Sequence, residues 1–203
     1  MRTIVDTPWR ACHELRRLLS LPLIRLQFAL QGIVWGKGWR IWGCPILQCH
    51  RGSQVVVGDY VDLRSWPGTN PLTPNHPVVL ATRCSNARIH IGHHCGFTGA
   101  TLVAAESIEI GNWVVVGANC TIVDTDFHPL APVERRLNVL NGTHKPIVIE
   151  DEVFVGMNSL VLKGVTLGRG CVIGAGSVVT RDVPPGMIAA GNPARVIGTV
   201  STN

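Results

Sequence analysis

A period of six residues in the C-terminal half of the chain constrains the fold more than any other feature of the sequence. Every sixth position from 149 to 179 is aliphatic, and these positions are Ile149, Val155, Val161, Leu167, Ile173 and Val179. Four residues after each stands a small or branched side chain, in the order Val153, Ser159, Val165, Cys171, Ser177 and Val183. Six residues are too few to bury a core of their own, so a repeat this short predicts stacked parallel strands.

The same period appears earlier in the chain and is interrupted twice. It begins near residue 44, stops over 64–78, which contains four prolines, and stops again over 128–146, which contains no repeat unit. We expect both segments to leave the stack as loops. The sequence therefore predicts an all-β repeat body over 44–203, with an excursion loop at 128–146 and a tail at 184–203.

Residues 1–43 differ from the repeat body in charge and in pattern. Residues 1–40 contain seven basic and two acidic side chains, so they hold the whole net charge of +5 and the body is neutral. Thr7 and Pro8 indicate a helix start, and Ser20 and Pro22 predict a break, so we expect two short helices with leucine stripes. They are predicted to cap the stack, to contact a membrane surface through residues 1–32, or to do both.

Composition narrows the expected compartment and partners. Arginines interrupt the early apolar stretch and no apolar run is long enough to span a bilayer, so we expect a cytoplasmic protein without a signal peptide. The seven cysteines lack metal-binding spacing, and three of them, Cys95, Cys120 and Cys171, occupy the small-residue slot of a repeat. That slot predicts buried free thiols. The neutral body argues against nucleic-acid binding.

Three further stretches bring the sequence close to a known family. The Ile-Gly repeat units, the run Asp-Thr-Asp-Phe-His-Pro over 124–129, and the stretches 174–182 and 190–195 together resemble the hexapeptide-repeat acyltransferases. The subgroup is that of the maltose, galactoside, nodulation-factor and polysaccharide O-acetyltransferases, and the resemblance covers about residues 44–198. It implies a left-handed parallel β-helix, usually assembled as a homotrimer with active sites between the subunits.

The resemblance also implies an activity. An acetyl group would pass from acetyl-CoA to a sugar hydroxyl, in a surface polysaccharide or its lipid-linked precursor, by direct attack and without a metal. The hydroxyl needs a positioned base, and His128 matches the catalytic histidine of the family. Asp126, the second candidate catalytic residue, stands in a slot that other repeats fill with Val, Ser or Cys. We expect it either to bond the loop backbone or to orient the imidazole of His128.

Binding residues for acetyl-CoA are likewise implied by the resemblance. They are Met157 through its backbone N–H, Ala175, Thr180, Arg181 and Arg195. The two arginines suit the phosphates of the nucleotide end. For the acceptor, Trp113 offers either a stacking face for a sugar ring or an outward packing side chain.

Three alternatives compete with a glycan O-acetyltransferase. The acceptor could be a small molecule of the antibiotic type, or the chain could be a non-catalytic β-helix scaffold. A zinc protein resembling the β-helical carbonic anhydrases would use histidines such as His90, His93, His94 and His128, but the His-x-x-x-x-His pair of those enzymes is absent.

Overall fold

The computed structural model describes residues 7–201, and from Arg40 onward the chain winds into a left-handed parallel β-helix with three faces. Sheet 1 contains strands Arg40–Trp42, Asp62–Arg64, Gly96–Thr98, Val115–Val116, Phe154–Val155, Val172–Ile173, Met187–Gly191 and Ala194–Thr199. Sheet 2 contains Ile46–Gln48, Val79–Thr82, Thr101–Ala104, Thr121–Val123, Leu160–Leu162 and Val178–Val179. Sheet 3 contains Gln54–Val57, Arg88–Ile91, Ser107–Ile110, Ile147–Ile149 and Thr166–Leu167. The predicted fold class is confirmed.

The six-residue period places the core. All six aliphatic anchors between Ile149 and Val179 are buried, and so are the six residues that follow them by four positions. Strands of successive coils pair in parallel register, so that Val116 lies beside Val155 and Val155 beside Ile173. Each coil thus buries its side chains against those above and below, and one continuous core results. Burial also raises the pKa of the Cys95, Cys120 and Cys171 thiols to about 11.

Both interruptions of the period leave the stack. The first lies between the strands that end at Arg64 and begin at Val79, and it contains a short 3-10 turn, Pro67–Thr69. The second lies between Val123 and Ile147 and contains a six-residue helix, Pro132–Leu137. The chain therefore leaves the sheet about four residues before the predicted start at 128.

The two ends of the stack differ from the predicted boundaries. Strand Arg40–Trp42 already belongs to sheet 1, so the stack starts before residue 44. At the other end the tail forms an antiparallel hairpin of Met187–Gly191 and Ala194–Thr199, which extends sheet 1. Residues 1–6 and 202–203 lie outside the described residues, so the predicted segments 1–32 and 184–203 are described only in part.

The N-terminal segment forms one helix, Trp9–Leu30, and the predicted break at Ser20–Pro22 is wrong. Proline inside a helix removes one hydrogen bond and costs about 3 kcal/mol. Ile24 and Phe28 are fully buried against the first coil, and burial of such a side chain contributes about 1.5–3 kcal/mol each. Packing of the second half of the helix therefore offsets the proline.

The helix covers the open end of the β-helix. The Phe28 ring meets the Trp39 ring edge-on at 5.3 Å between centroids and the Trp35 ring at 5.7 Å. The Gln27 side-chain amide donates to the Pro45 carbonyl at 2.8 Å. No helix within residues 7–201 is both long enough and apolar enough to cross a bilayer.

Candidate active site

His128 lies near the start of the excursion and its side chain is exposed. Its Nδ1 is 2.5 Å from the carbonyl oxygen of Val139, on the far side of the same loop. A carbonyl oxygen only accepts, so Nδ1 carries the hydrogen and Nε2 keeps its lone pair. The ring is therefore held in the tautomer that a general base requires. A Cβ on Gly142 would lie 2.6 Å from the backbone nitrogen of His128, so this close approach needs a glycine.

Asp126 fastens the loop that carries His128. Its carboxylate accepts from the Thr143 hydroxyl at 2.6 Å and from the Lys163 ammonium at 2.5 Å, and the Lys163 bond holds the pKa of the carboxyl below its usual range. Lys163 belongs to the next coil, so the bond ties the loop to the stack. Asp126 makes no bond to the imidazole of His128 within residues 7–201, and the orienting role is not what the structure shows.

The inward slot assigned to Asp126 is filled by Asp124 instead. Asp124 is fully buried, and its carboxylate accepts the backbone N–H groups of Ala105 at 2.6 Å and Glu106 at 2.7 Å. Burial raises the pKa of Asp124, although these two bonds oppose the shift. The position of the inward slot differs from the prediction because the strand ends at Val123 and the chain leaves the coil at Asp124, two residues before Asp126.

A second group of predicted residues lies at the corner where the chain passes from sheet 1 to sheet 2, over 117–120, 156–159 and 174–177. We call this the open corner. Met157 and Ala175 occupy the same position in successive coils, since the Gly176 N–H donates to the Met157 carbonyl at 2.8 Å. Within residues 7–201 neither the Met157 nor the Ala175 N–H has a hydrogen-bond partner. Two backbone donors of adjacent coils are therefore available to a ligand.

Arg195 belongs with the open corner. It stands opposite Ala190 in the terminal hairpin, and Ala190 packs beside Gly174, where an added Cβ would come within 2.8 Å. Its exposed guanidinium donates to the carbonyl of Ala194 at 2.8 Å and makes no ion pair within the described chain. It is free to bind a phosphate.

Thr180 and Arg181 lie instead on the side of His128, at the corner between sheets 2 and 3, which we call the histidine corner (residues 124–146, 163–165 and 180–182). They follow strand Val178–Val179, two coils after the excursion. Both are exposed, and over residues 7–201 neither side chain makes a hydrogen bond or ion pair.

The structure thus divides the predicted site residues into two groups at opposite edges of sheet 2. The histidine corner holds His128, Asp126, Thr180 and Arg181, whereas the open corner and its hairpin hold Met157, Ala175 and Arg195. Ala175 and Thr180 lie five positions apart, which corresponds to roughly 15 Å of extended chain. One protomer alone therefore does not gather the two groups into one cleft.

His90, His94 and Trp113 lie elsewhere. Within 7–201 no group of three or more His, Cys, Asp or Glu side chains could hold a metal ion. His90 pairs with Glu109 at 3.1 Å, and His94 is stacked between Tyr60 and Trp113, with centroids 4.7 and 3.9 Å away. The stack lies at the corner between sheets 3 and 1, so Trp113 packs outward along the helix and away from His128.

Sequence reasoning missed three residues that support His128. Val139 acts through its carbonyl oxygen, which leaves no trace in residue type. Thr143 and Lys163 hold Asp126 from 17 and 37 residues away. Of the three, only Lys163 carried a usable signal, as a charged residue two positions after the repeat anchor Val161.

Comparisons with known proteins agree with the fold and the repeat. The family model described as the hexapeptide repeat of succinyl-transferase matches residues 146–181. A galactoside O-acetyltransferase from Lactococcus lactis is 40% identical over 111 residues, which cover 55% of this chain and 52% of that protein. A solved maltose O-acetyltransferase from Clostridium difficile has a TM-score of 0.54 and 25% identity, over 92% of this chain and 87% of that chain. The chain is thus similar to hexapeptide-repeat acetyltransferases in its repeat and in its fold.

Another hexapeptide-repeat acetyltransferase shows how far the fold extends. A protein of this kind from Vibrio cholerae, solved with acetyl coenzyme A, has a TM-score of 0.56 over 98% of this chain and 92% of that chain. At 23% identity the likeness shows the fold alone. The chain spans about half the length of the curated relatives that it matches, for example 52% and 56% of two galactoside O-acetyltransferases.

Proposed function

We propose that the chain is an acetyl-CoA-dependent O-acetyltransferase that uses His128 as its general base. The observation that carries the proposal is the bond from His128 Nδ1 to the Val139 carbonyl, which leaves an exposed Nε2 lone pair at an interruption of the stack. An imidazole held in this way suits the removal of a hydroxyl proton at neutral pH.

His128 moves one proton in each direction. Acetyl-CoA supplies the acetyl thioester. Nε2 takes the proton of the acceptor hydroxyl as its oxygen bonds to the acetyl carbon, and it returns that proton to the sulfur as the carbon–sulfur bond breaks. While the ring is charged, both nitrogens are donors, and the Val139 carbonyl stabilises the charge through Nδ1. The histidine ends neutral, so the cycle balances.

Both groups of site residues offer donors that an extended ligand such as acetyl-CoA can use. Met157 and Ala175 offer free N–H groups for carbonyl oxygens of the pantetheine arm, as backbone donors commonly do for acyl groups. The exposed guanidinium groups of Arg181 and Arg195 suit phosphate. The chemistry of these donors therefore fits acetyl-CoA.

We infer that the site is completed by a second copy of the chain in a homotrimer. The histidine corner and the open corner lie at opposite edges of sheet 2, so a head-to-tail ring would bring one protomer's histidine corner to its neighbour's open corner. Exposed apolar residues of the excursion suit burial by that neighbour, and they are Leu130, Val133, Leu137 and Leu140.

For the acceptor we propose a sugar hydroxyl of a surface polysaccharide or its lipid-linked precursor, modified in the cytoplasm. The names of the galactoside and maltose O-acetyltransferases to which the chain is similar support a sugar. A small acceptor of the antibiotic type is the competing outcome, and a labelled acetyl donor with a panel of both acceptor classes distinguishes them by mass spectrometry.

The decisive variant is His128→Ala. Loss of a general base lowers turnover by about 10²–10⁴-fold, so we expect acetyl transfer to fall by that factor while the oligomer persists. His144→Ala is the matched control, because His144 lies in the same excursion, is exposed and pairs with Glu106 at 2.8 Å. Its turnover should stay within about twofold of wild type. Near-normal turnover of His128→Ala would refute the assignment.

A further inference from the structure

The N-terminal helix turns an apolar side to the solvent, which is the reverse of the orientation in an ordinary soluble domain. On a projection of about 100° per residue, the side turned away from the body carries no charged residue. We call this side the leucine face, and it consists of Ala11, Cys12, Leu15, Leu18, Leu19, Pro22, Leu23, Leu26, Ala29 and Leu30. All ten residues are exposed, whereas a surface helix normally turns its apolar side inward.

The polar residues of the helix hold it in this orientation. The guanidinium carbons of Arg16, Arg17 and Arg25 lie over tryptophan rings of the body, at 4.2, 5.5 and 5.0 Å from the ring centroids. Together with the buried Ile24 and Phe28 they fix the helix about its axis. The leucine face therefore cannot rotate towards the core.

Charge surrounds the leucine face. Arg16 and Arg25 border it on its two sides, and both are exposed. Arg10, which is also exposed, lies in the first turn. Residues 1–40 hold the whole net charge of +5. An apolar strip with basic borders has the character of a helix that lies in a membrane interface.

We propose that the leucine face docks on an anionic phospholipid bilayer, with the helix axis parallel to the surface. A bilayer buries the leucines, and its acidic headgroups attract the basic segment. A second copy laid on the same face would bring two segments of charge +5 together, which opposes that pairing. The docking is independent of the acetyl transfer proposed above.

Vesicle binding by the full chain tests the proposal. We expect the wild type to co-sediment with vesicles of phosphatidylcholine and one-third phosphatidylglycerol, and to bind pure phosphatidylcholine more weakly. Leu19→Glu/Leu26→Glu should reduce partitioning at least about tenfold. Val56→Glu/Leu72→Glu is the matched control, since it adds the same charge at two exposed aliphatic residues of the body, and it should bind like the wild type.

Light scattering and a second variant complete the design. The leucine-face variant should keep the oligomeric state and melting temperature of the wild type, because both leucines are exposed. If it unfolds, Leu19→Gln/Leu26→Gln replaces it. The proposal fails if the wild type does not bind anionic vesicles, or if the control variant loses as much binding as the leucine-face variant. If the wild type binds no lipid and the leucine-face variant dissociates its oligomer, the leucine face contacts another copy of the chain instead. Deletion of the helix is unsuitable, because it would remove Ile24 and Phe28 from the core.

Discussion

Two corners of the β-helix share one backbone geometry and differ in what they leave free. We call the corner where sheet 3 passes to sheet 1 the paired corner (residues 58–61, 92–95, 111–114 and 150–153). There a side chain of each coil accepts a hydrogen bond from a backbone N–H of the coil before. His93 Nδ1 accepts the Asp59 N–H at 3.0 Å, and Asn112 Oδ1 accepts the His93 N–H at 2.9 Å. Asp151 Oδ1 accepts the Asn112 N–H at 2.7 Å.

The open corner repeats this arrangement without the acceptors. In both corners the residue after this N–H has a positive φ, which is 58° at Asn158 in the open corner and 61° at Trp113 in the paired corner. Met157 and Ala175 occupy the position of Asn112 and Asp151, but the Ala175 side chain has no acceptor and the Met157 thioether is only a weak one. The type of one side chain in each coil therefore decides whether the backbone N–H groups of a corner are hydrogen-bonded or left free.

The largest expected effect comes from mixing inactive subunits. If the histidine corner of one protomer works with the open corner of its neighbour, His128→Ala and Arg195→Glu chains should complement each other. Random mixing in a ring makes about a quarter of the interfaces fully wild type, so co-expression should restore about a quarter of the activity.

Arg181→Glu is the matched partner for the mixing experiment. Arg181 lies at the same corner as His128, so the His128→Ala and Arg181→Glu chains should stay inactive together. Recovery with both partners, or with neither, would count against the division of the site between subunits. Rates are measured with acetyl-CoA near its KM.

A smaller effect should follow from closing the open corner. In Ala175→Asn the new side-chain oxygen should accept the Met157 N–H, as Asn112 accepts that of His93. Loss of one donor costs about 1 kcal/mol, so the KM for acetyl-CoA should rise about fivefold while kcat stays near the wild-type value. An unchanged KM would show that the free N–H groups do not contact the donor.

The reverse substitution opens the paired corner. Asn112→Ala frees the His93 N–H and removes the bond from the Asn112 side chain to Asp151 at 3.2 Å. We expect the free energy of unfolding to fall by about 1 kcal/mol with no change in the KM for acetyl-CoA. Urea denaturation and initial rates measure the two quantities. A raised KM would mean that the donor also reaches this corner.

The smallest effect is the response of the two corners to acid. The bond from Lys163 lowers the pKa of Asp126, so its stabilisation is present above the ordinary carboxyl value near pH 4 and is lost as pH falls through the lower folded value. In that pH range the protection of the excursion's backbone amides against hydrogen exchange should fall about twofold to fivefold. Amides of 156–159 should not, because the open corner has no such pair, and Lys163→Met should abolish the difference.

Much of the fold could be predicted because burial in a short repeat is local. A side chain at each sixth position must point inward whatever the distant chain does, and all six anchors are buried. The prediction for Asp126 was wrong by two residues, because the register at the edge of a repeat depends on where the chain turns out. The predicted break at Pro22 was wrong because packing of Ile24 and Phe28 decided the helix.

The sequence by itself determined the coil, its inward residues and its two interruptions, and its family resemblance pointed to His128 as a candidate base. Only the tertiary structure decided which ring nitrogen of His128 carries the hydrogen, since that depends on the Val139 carbonyl across the loop. It likewise decided that the N–H groups of Met157 and Ala175 remain free and that the leucines of the N-terminal helix face outward. The physical reason is that residue type fixes what a side chain prefers to bury, whereas the pairing of backbone groups depends on which distant coils meet.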